Sequence, residues 1–372
     1  MPDPTPRAPF VAPPADAAPP LAAVPVVGLG RRREFDAVID ARSPAEYALD
    51  HLPGALNCWV LDNDERHVVG TIYVQQGAFE ARRVGGAMVA ANLARHLQER
   101  FSGMPMDWRP LVYCWRGGMR SGAMVSWLRT VGWDAAQLGG GYKTWRQHVM
   151  DATEAIPPRL RLTVIAGATG SAKTRVLQAL GARGEQVLDL EGLACHKGSL
   201  LGDLPGVPQP SQKAFETGLV DALERLDPAR PVYVEGESRR IGRLQVPLAL
   251  VQRMRAAPVV EIVAPFQARV DYLLRDYAYL GDRPDWFAGQ LRPLTELHGK
   301  ETIASWQAMA QARELAPLFA QLAERHYDPA YARSQGVHFA RWETRTRVEA
   351  PGLADADIEA LAARIAALPV AA

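Results

Sequence analysis

What is scarce in this chain narrows its class first. Only three cysteines, Cys58, Cys114 and Cys195, occur in 372 residues. An odd, widely spaced set without metal-ligand spacing argues against a disulfide framework and against a zinc site. It fits a reducing, cytoplasmic setting. No apolar run approaches the ~20 residues that a membrane-spanning helix needs, so no membrane partner is expected. The N-terminus lacks a basic segment followed by an unbroken apolar one and does not read as a secretory signal. An excess of one charge is also missing. The formal net charge is +1, so bulk charge announces no nucleic-acid partner, although a local basic face would be enough for one. Hydrophobic residues at 48% and charged residues at 22% are ordinary for globular protein. The length predicts about two or three domains.

The first 25 residues hold nine prolines and seven alanines. They cannot bury a core, and residues 1–30 are expected to form a disordered tail. Arg31 to Arg33 read equally well as a solvated charge run and as a phosphate-facing patch. Order is expected from about Phe35, with a buried strand over Ala37–Ile39 ending at Asp40. Ser43, Pro44 and Glu46 have the spacing of a helix start, and Pro53-Gly54 that of a turn. A second apolar run, Leu111-Val112-Tyr113, leads into Cys114-Trp115-Arg116-Gly117-Gly118-Met119-Arg120-Ser121 and then a helical pattern. In that helix Trp127, Leu128 and Val131 are expected to face the core. A thiol at a strand end, in a Gly-rich loop and at a helix N-terminus, is stabilised as the thiolate. Consecutive backbone N–H groups there form an anion cradle, and arginines add permanently charged donors. Cys114 is therefore the candidate nucleophile, with Arg116 and Arg120 as anion contacts. Trp115, Gly117, Gly118, Met119 and Ser121 complete the loop. The segment between Asn57 and Leu111 reads equally as packing and as the wall of a site for a large substrate.

Ile156-Pro157-Pro158 reads as a stiff linker, dividing a domain over 31–150 from another over 157–372. Beyond it, a strand over Arg161–Ala166 runs into Gly167-Ala168-Thr169-Gly170-Ser171-Ala172-Lys173-Thr174 and a helix through Leu180. Strand, Gly-rich loop, Lys-Thr and helix make a P-loop context. Gly167, Thr169, Gly170, Ser171 and Ala172 would cradle phosphates and Lys173 would neutralise them. Thr174 is a candidate Mg2+ ligand. Ala172 stands where a second glycine is usual and costs energy if that position needs a positive φ. Val187–Glu191, Pro231 onward and Val259–Val263 read as further strands. Asp189, Glu235 and Glu237 at strand ends would hold a metal-bound water or pair with arginines such as Arg239. His196, Lys197 and Ser199 are candidate anion contacts. Helices are expected over Gln267–Leu280, Thr302–His326 and Asp357–Leu368, the last with Ile358, Leu361 and Ile365 on one face. Arg82, Arg83, Arg239, Arg240, Arg243, Arg253 and Arg255 are candidate contacts to nucleic-acid phosphates. No aromatic residue can be singled out as a base-stacking platform.

Asp40-x-Arg42-Ser43-Pro44-x-Glu46-Tyr47, His51-x-Pro53-Gly54-Ala55-x-Asn57, the Cys114 loop and Gly140-Gly141-Tyr142-Lys143-Thr144-Trp145 together resemble the rhodanese domain. That resemblance implies a parallel sheet flanked by helices, with Cys114 as chalcogen carrier and Asp40 and Arg42 as framework residues. The loop runs Cys-x5-Arg from Cys114 to Arg120, one residue longer than in ordinary rhodaneses and like the phosphatases of that fold. A P-loop NTPase-like α/β domain with a helical C-terminal part follows. With His196-Lys197-Gly198-Ser199, Gln209-Pro210-Ser211-Gln212 and Tyr327-Asp328-Pro329-x-Tyr331, the chain from about residue 33 resembles the tRNA 2-selenouridine synthase family. Ala172 departs from that family's P-loop. The resemblance implies a transferase acting on wobble 2-thiouridine of tRNAs for lysine, glutamate and glutamine. Geranylation by geranyl diphosphate would precede selenation by selenophosphate through Cys-bound selenium. It implies no tightly bound cofactor, Mg2+ as a candidate ion, and selenophosphate synthetase as a candidate partner. Two alternatives stay open. One is a sulfurtransferase or rhodanese-fold phosphatase with an attached NTPase. The other is a non-catalytic protein that binds tRNA or a chalcogen carrier.

Overall fold

Short Val-, Ile- and Leu-rich runs, each closed by a polar or glycine-rich turn, assemble into two separate parallel sheets. The computed structural model describes residues 24–199 and 201–369. The Pro/Ala-rich segment up to residue 23 lies outside the described residues. The described chain divides into two compact units. The first comprises the residues up to Ser43 with Leu56–Tyr142, and the second comprises Pro44–Ala55 with everything from Lys143.

The first unit holds β1 (Val26–Val27), β2 (Ala37–Asp40), β3 (Leu56–Asn57), β4 (Pro110–Tyr113) and β5 (Ala136–Leu138), in the order β1-β5-β4-β2-β3. All four pairings are parallel. The expected disorder through residue 30 therefore does not hold for its last part. Val26 and Val27 pair with Gln137 and Leu138, because the open edge of β5 offers backbone groups that a short Val-Val run can satisfy. A 3-10 turn over Leu29–Glu34 follows, in which Arg31 pairs with Glu34.

Helix α1 (Pro44–Leu49) groups with the second unit. The long segment before β4 forms α2 (Asn63–Gln75) and α3 (Ala78–Glu99), started by a capping box between Asp62 and Glu65. Asn92 of α3 donates to Val60 O at 3.2 Å and Glu65 Oε2 at 2.6 Å. These bonds tie α3 to α2 and to the segment that follows β3. Helix α4 (Met119–Val131) buries Ser121, Met124, Val125 and Leu128. The expected face is corrected: Leu128 is buried, but Trp127 and Val131 are exposed. The buried residues centre about 110° round the helix from Trp127, which therefore points outward, whereas Val131 is exposed as the last residue of the helix.

At the C-terminal end of β2 lies a fully buried ion pair. Arg42 Nη2 meets Asp40 Oδ2 at 2.6 Å, and Tyr113 Oη donates to the same oxygen at 2.7 Å. The Arg42 guanidinium also sits 4.0 Å from the centre of the Tyr142 ring.

The second unit begins with α5 (Gly141–Ala155), most of which lies in it. Trp145 Nε1 donates to Thr217 Oγ1 at 3.3 Å, and Thr217 Oγ1 donates to Asp50 Oδ2 at 3.1 Å. These bonds explain why Pro44–Ala55 and α5 cluster here. Strand β6 (Arg161–Gly167) is central. Around it lie β7 (Gln186–Leu188), β8 (Pro231–Glu235), a two-stranded hairpin β9 (Arg240–Ile241) and β10 (Leu244–Gln245), then β11 (Val259–Val263) and β12 (Thr346–Glu349). The main sheet runs β12-β11-β6-β8-β7, all parallel.

Alternation decides its two faces. Leu162, Val164, Ala166, Val232 and Val234 pack in one cluster, whereas Ile165 and Tyr233 pack in the other. The second face is covered by α6 (Lys173–Ala182). Helices α7 (Leu190–Ala194), α8 (Gln212–Leu223) and α9 (Leu248–Ala256) cover the first.

A helical part follows: α10 (Phe266–Asp276), α11 (Pro284–Gln290), α12 (Thr295–His298), α13 (Lys300–Gln311), α14 (Leu315–Leu322), a π-helical turn over Ala323–Tyr327, and α15 (Asp328–His338). It has its own core around Phe287, Trp306 and Phe319. The single helix expected over Thr302–His326 is therefore broken. Arg313 takes a left-handed φ of 60° between α13 and α14, which redirects the chain. Helix α16 (Asp355–Ala366) buries Ile358, Leu361 and Ile365, as expected. Among the described residues no helix is long and apolar enough to cross a membrane.

Arg42→Leu would leave the Asp40 carboxylate buried without its counter-charge. A loss of about 3–5 kcal/mol is expected, read from urea denaturation of the full chain. An unchanged midpoint would show that the pair holds nothing together.

Candidate functional site

Strand β4 ends at Tyr113, and the backbone of Cys114 is clamped at once, its carbonyl accepting from Tyr142 N at 2.8 Å. Gly141 has a φ of +56° there, and a Cβ on it would fall 2.3 Å from Cys114 O. Only glycine fits this close approach. Cys114 Sγ accepts from Gly118 N at 3.3 Å and from Ser121 Oγ at 3.1 Å. Gln137 Nε2 donates to Ser121 Oγ at 2.7 Å and so leaves the hydroxyl hydrogen for other acceptors, the sulfur among them.

Burial alone would raise the Cys114 pKa. The bonds from Ser121 and Gly118 and the charge of Arg120 outweigh it, and the thiol sits below its ordinary value. Cys58 is the contrast, a buried thiol pushed up to about 11 by desolvation. Gly117 and Gly118 form the turn into α4, and Arg120 is half-buried on its first turn. Arg116 and Met119 are exposed, while Trp115 is partly exposed and leans on the Tyr142 ring at 5.3 Å between centroids. The sequence singled out every residue of this loop but not Gln137, which acts from the neighbouring strand.

The second cradle lies at the end of β6. Thr169, Gly170, Ser171, Ala172, Lys173 and Thr174 line a cavity of about 540 Å3, with Gly167 at the strand end. Lys173 Nζ folds back onto Gly167 O at 2.9 Å, and Thr174 Oγ1 donates to Glu191 Oε2 at 2.8 Å. Ser171 Oγ is fully buried and has no partner among the described residues. The loop is held from outside by Arg269, which donates to Thr169 O at 3.0 Å and forks onto Asp328 at 2.8 and 2.7 Å. This gives the Tyr327-Asp328-Pro329 motif a physical role.

Ala172 does occupy a left-handed conformation, φ 59° and ψ 29°, and its methyl is packed in the core beside Val176. The strain of about 1–2 kcal/mol is offset by ~0.8 kcal/mol of methyl burial and by a less flexible unfolded chain. Ala172→Gly is therefore expected to move stability by less than about 1 kcal/mol. Ala172→Val, β-branched in the same conformation, should cost more than about 2 kcal/mol. Thermal denaturation of both variants separates the cases.

Opposite Lys173 stand carboxyl groups that the sequence identified only in part. Strand β7 stops at Leu188. Asp189 is not a ligand at a strand end but the N-cap of α7, accepting from Gly192 N at 2.6 Å. The short helix that it starts brings Glu191, which the sequence placed at a strand end, against Thr174. Glu235 is fully buried: Oε2 accepts from Glu191 N at 3.3 Å, and Oε1 has no partner among the described residues. Glu237 lines the same cavity, whereas Arg239 is exposed and lines neither this cavity nor the larger one beside it.

Desolvation, then mutual repulsion, drives Glu191 up to about 9, and desolvation with the charges of Asp189 and Glu237 drives Glu235 up to about 8. Glu237 is raised by desolvation, against the pull of Lys173. Between the ordinary carboxyl value of 4.5 and these raised values the folded state binds more protons than the unfolded one. Stability is thus highest at the acid end of that window and falls as pH rises through it. The thermal midpoint should drop from about pH 6 to about pH 9, and Glu235→Gln should flatten the drop. A midpoint that rises across this interval would refute the charge arrangement.

A larger cavity, about 850 Å3, adjoins the one at the Lys173 loop, and Gly198 and Ser199 line both. His196 lines the larger one, not the phosphate loop, and is kept below its ordinary pKa by burial. Lys197 points to the cradle but is already neutralised by Asp276 at 2.6 Å and rests 4.2 Å from the Tyr277 ring centre. Gln209 of the Gln-Pro-Ser-Gln motif is a staple: its Nε2 donates to Ala194 O and Ile241 O, and its Oε1 accepts from Arg243 N.

Comparison with known proteins places both cradles in recognised segments. A rhodanese-like domain model matches residues 29–148, and the tRNA 2-selenouridine synthase AAA domain model matches 160–284. A tRNA 2-selenouridine synthase from Alcanivorax borkumensis is 36% identical over 276 residues, 72% of this chain and 74% of that protein. The chain belongs to the tRNA 2-selenouridine synthase family. Members from Nitrosomonas europaea and Nitrosomonas eutropha are 38% and 37% identical over 244 residues, and the matched region spans 63% and 62% of their lengths. The Cys114 loop falls in the rhodanese-like segment. Lys173, Glu191, Glu235 and Arg269 fall in the family's AAA segment, while Asp328 lies beyond it.

Proposed function

We propose that this chain converts 2-thiouridine at the wobble position of tRNA into 2-selenouridine, first geranylating the sulfur and then replacing it with selenium. The observation that carries the reading is the Cys114 thiol, its sulfur held by Gly118 N and Ser121 Oγ at a helix N-terminus, in a chain that also carries a phosphate cradle. In the first stage the thiocarbonyl sulfur attacks C1 of geranyl diphosphate. The S–C bond forms as the C–O bond breaks, the electron pair leaves with the diphosphate, and the N3 proton of the base passes to water. Backbone N–H groups of the loop over Thr169–Lys173 and the Lys173 ammonium stabilise that leaving charge. With Glu191 pushed up to about 9 and Glu235 up to about 8, the carboxyls nearest the loop repel it less than carboxylates would.

Mg2+ fits this site in one respect: the oxygens of Thr174, Glu237 and, once its proton is released to the arriving ion, Glu191 are hard donors. Among the described residues no group of three His, Cys, Asp or Glu is placed to hold a metal, so phosphate and water would complete its coordination. When bound, it would supply further neutralisation of the diphosphate.

In the second stage Arg116, Arg120 and the loop amides hold selenophosphate, whose selenium is at the selenide level, so that carrying it as a selenyl-sulfide on Cys114 would need an oxidant. The Cys114 thiolate instead attacks phosphorus as the P–Se bond breaks, the released selenide adds at C2 of the base as the C–S bond breaks and geranylthiol leaves, and water then frees the phosphoryl group from Cys114. Alkylation has by then made the sulfur a better leaving group, a thiol rather than sulfide. The tRNAs for lysine, glutamate and glutamine are the substrates of this reading, the cytoplasm is its setting, and selenophosphate synthetase is the natural donor partner.

The test is mass analysis of wobble nucleosides after incubation with 2-thiouridine tRNA, geranyl diphosphate and selenophosphate. Cys114→Ala should accumulate the S-geranyl nucleoside and form no selenouridine. Lys173→Ala should slow geranylation about 100- to 1,000-fold. Selenation by Cys114→Ala, or intact geranylation by Lys173→Ala, would each remove its assignment. Thiosulfate:cyanide turnover without tRNA would favour a plain sulfurtransferase instead.

A further inference from the structure

The larger cavity beside the phosphate cradle is used by nothing described so far. At about 850 Å3 it lies within the ~300–1,000 Å3 typical of small-ligand sites. Its walls are chemically mixed in a particular way. Trp286 packs against the helical core and also lines the cavity, so its ring is held firmly. Arg240 and Arg243 enter from the β9–β10 hairpin. The Arg240 guanidinium has no hydrogen-bond or ion-pair partner among the described residues, whereas Arg243 is anchored through Gln209 O. Asp203 is the one acidic residue in the lining, and it faces His196 Nε2 at 3.5 Å. A rigid aromatic plane with two guanidinium groups and one carboxylate suits a ligand that is planar in one part and anionic in another.

The wall shared with the phosphate cradle is thin. Gly198 has a φ of +64°, and a Cβ there would fall 2.5 Å from Glu191 Oε1 and 2.7 Å from Glu237 Oε1. No side chain can therefore stand at this point between the cavities.

We propose that this cavity receives an unstacked nucleotide of the RNA substrate, with Trp286 as the stacking platform for its base and Arg240 and Arg243 as contacts to the flanking phosphates. The proposal rests on an RNA substrate. Single-stranded RNA is bound by this combination of aromatic plane and arginine. The bare backbone at Gly198 lets an atom of the base come close to a group held at Lys173.

The experiment measures binding of an anticodon stem-loop RNA carrying one 2-thiouridine to the full chain. Inorganic diphosphate binding to the same variants serves as an independent control. Trp286→Ala should weaken RNA binding about 5- to 150-fold, Trp286→Phe should recover most of it, and Arg240→Glu should weaken it as well. Diphosphate binding should stay at the wild-type level in all three. Wild-type RNA affinity in both Trp286→Ala and Arg240→Glu would overturn the proposal. Should a variant also lose diphosphate binding through misfolding, photocrosslinking of 4-thiouridine RNA to the wild-type chain decides. Crosslinks at residues 240–243 or 286 support the cavity, and crosslinks confined elsewhere overturn it. A wild-type chain that binds diphosphate but no RNA would remove the RNA reading itself, a different failure from normal RNA binding by the variants.

Discussion

Three carboxyl groups crowd one another beside a single lysine. Glu191, Glu235 and Glu237 gather at the C-terminal edge of the second sheet, and Lys173 counters the raised pKa of Glu191 and Glu237 but not that of Glu235. Removed from water, they cannot all ionise without several kcal/mol of repulsion and lost hydration. The surroundings are shaped by this constraint. Thr174 spends its hydroxyl on Glu191, Lys173 folds back toward the strand end, and Gly198 gives up a side chain so that two carboxyls can pack against its backbone. A site that holds protons at neutral pH tolerates an incoming anion, because protonated carboxyls do not repel it.

The Cys114 loop solves a related problem with the opposite economy. It contains no carboxylate, and its negative charge is to reside on sulfur. The stabilising groups are neutral donors, Gly118 N and Ser121 Oγ, backed by the charge of Arg120. Both cradles stand at the C-terminal ends of parallel strands, where a loop turns into a helix and backbone N–H groups are left without partners. Each is held by residues remote in sequence, the first by Gln137 and Tyr142 and the second by Arg269 through Asp328.

Much of this is legible in the sequence. The strands around Val38, Val112, Val164 and Val260 are short apolar runs closed by turn residues, and such runs state their own limits. The Cys114 loop and the Lys173 loop announce themselves because their chemistry is local: consecutive residues supply the amides, the charge and the nucleophile. Trp127 faces outward against expectation because a helix of just under two heptads offers two adjacent apolar stripes, and only packing chooses between them. The helix over Thr302–His326 was overextended because Arg313 carries no breaker signal, although it adopts a left-handed conformation. Asp189 and Glu191 were read as strand-end carboxylates because an N-cap and a strand end look alike in three or four residues.

By itself the sequence determined the two α/β units and the chain positions of the Cys114 loop and the Lys173 loop. These depend on short-range order, in which neighbours along the chain are neighbours in space. Tertiary structure alone decided which carboxyls meet, which hydroxyl points at the sulfur and which arginine clamps the phosphate loop. It also decided that Trp286, Arg240 and Arg243 line one cavity. Such groups are brought together by sheet order and helix packing, and their protonation follows from burial, a property that no single stretch of chain possesses.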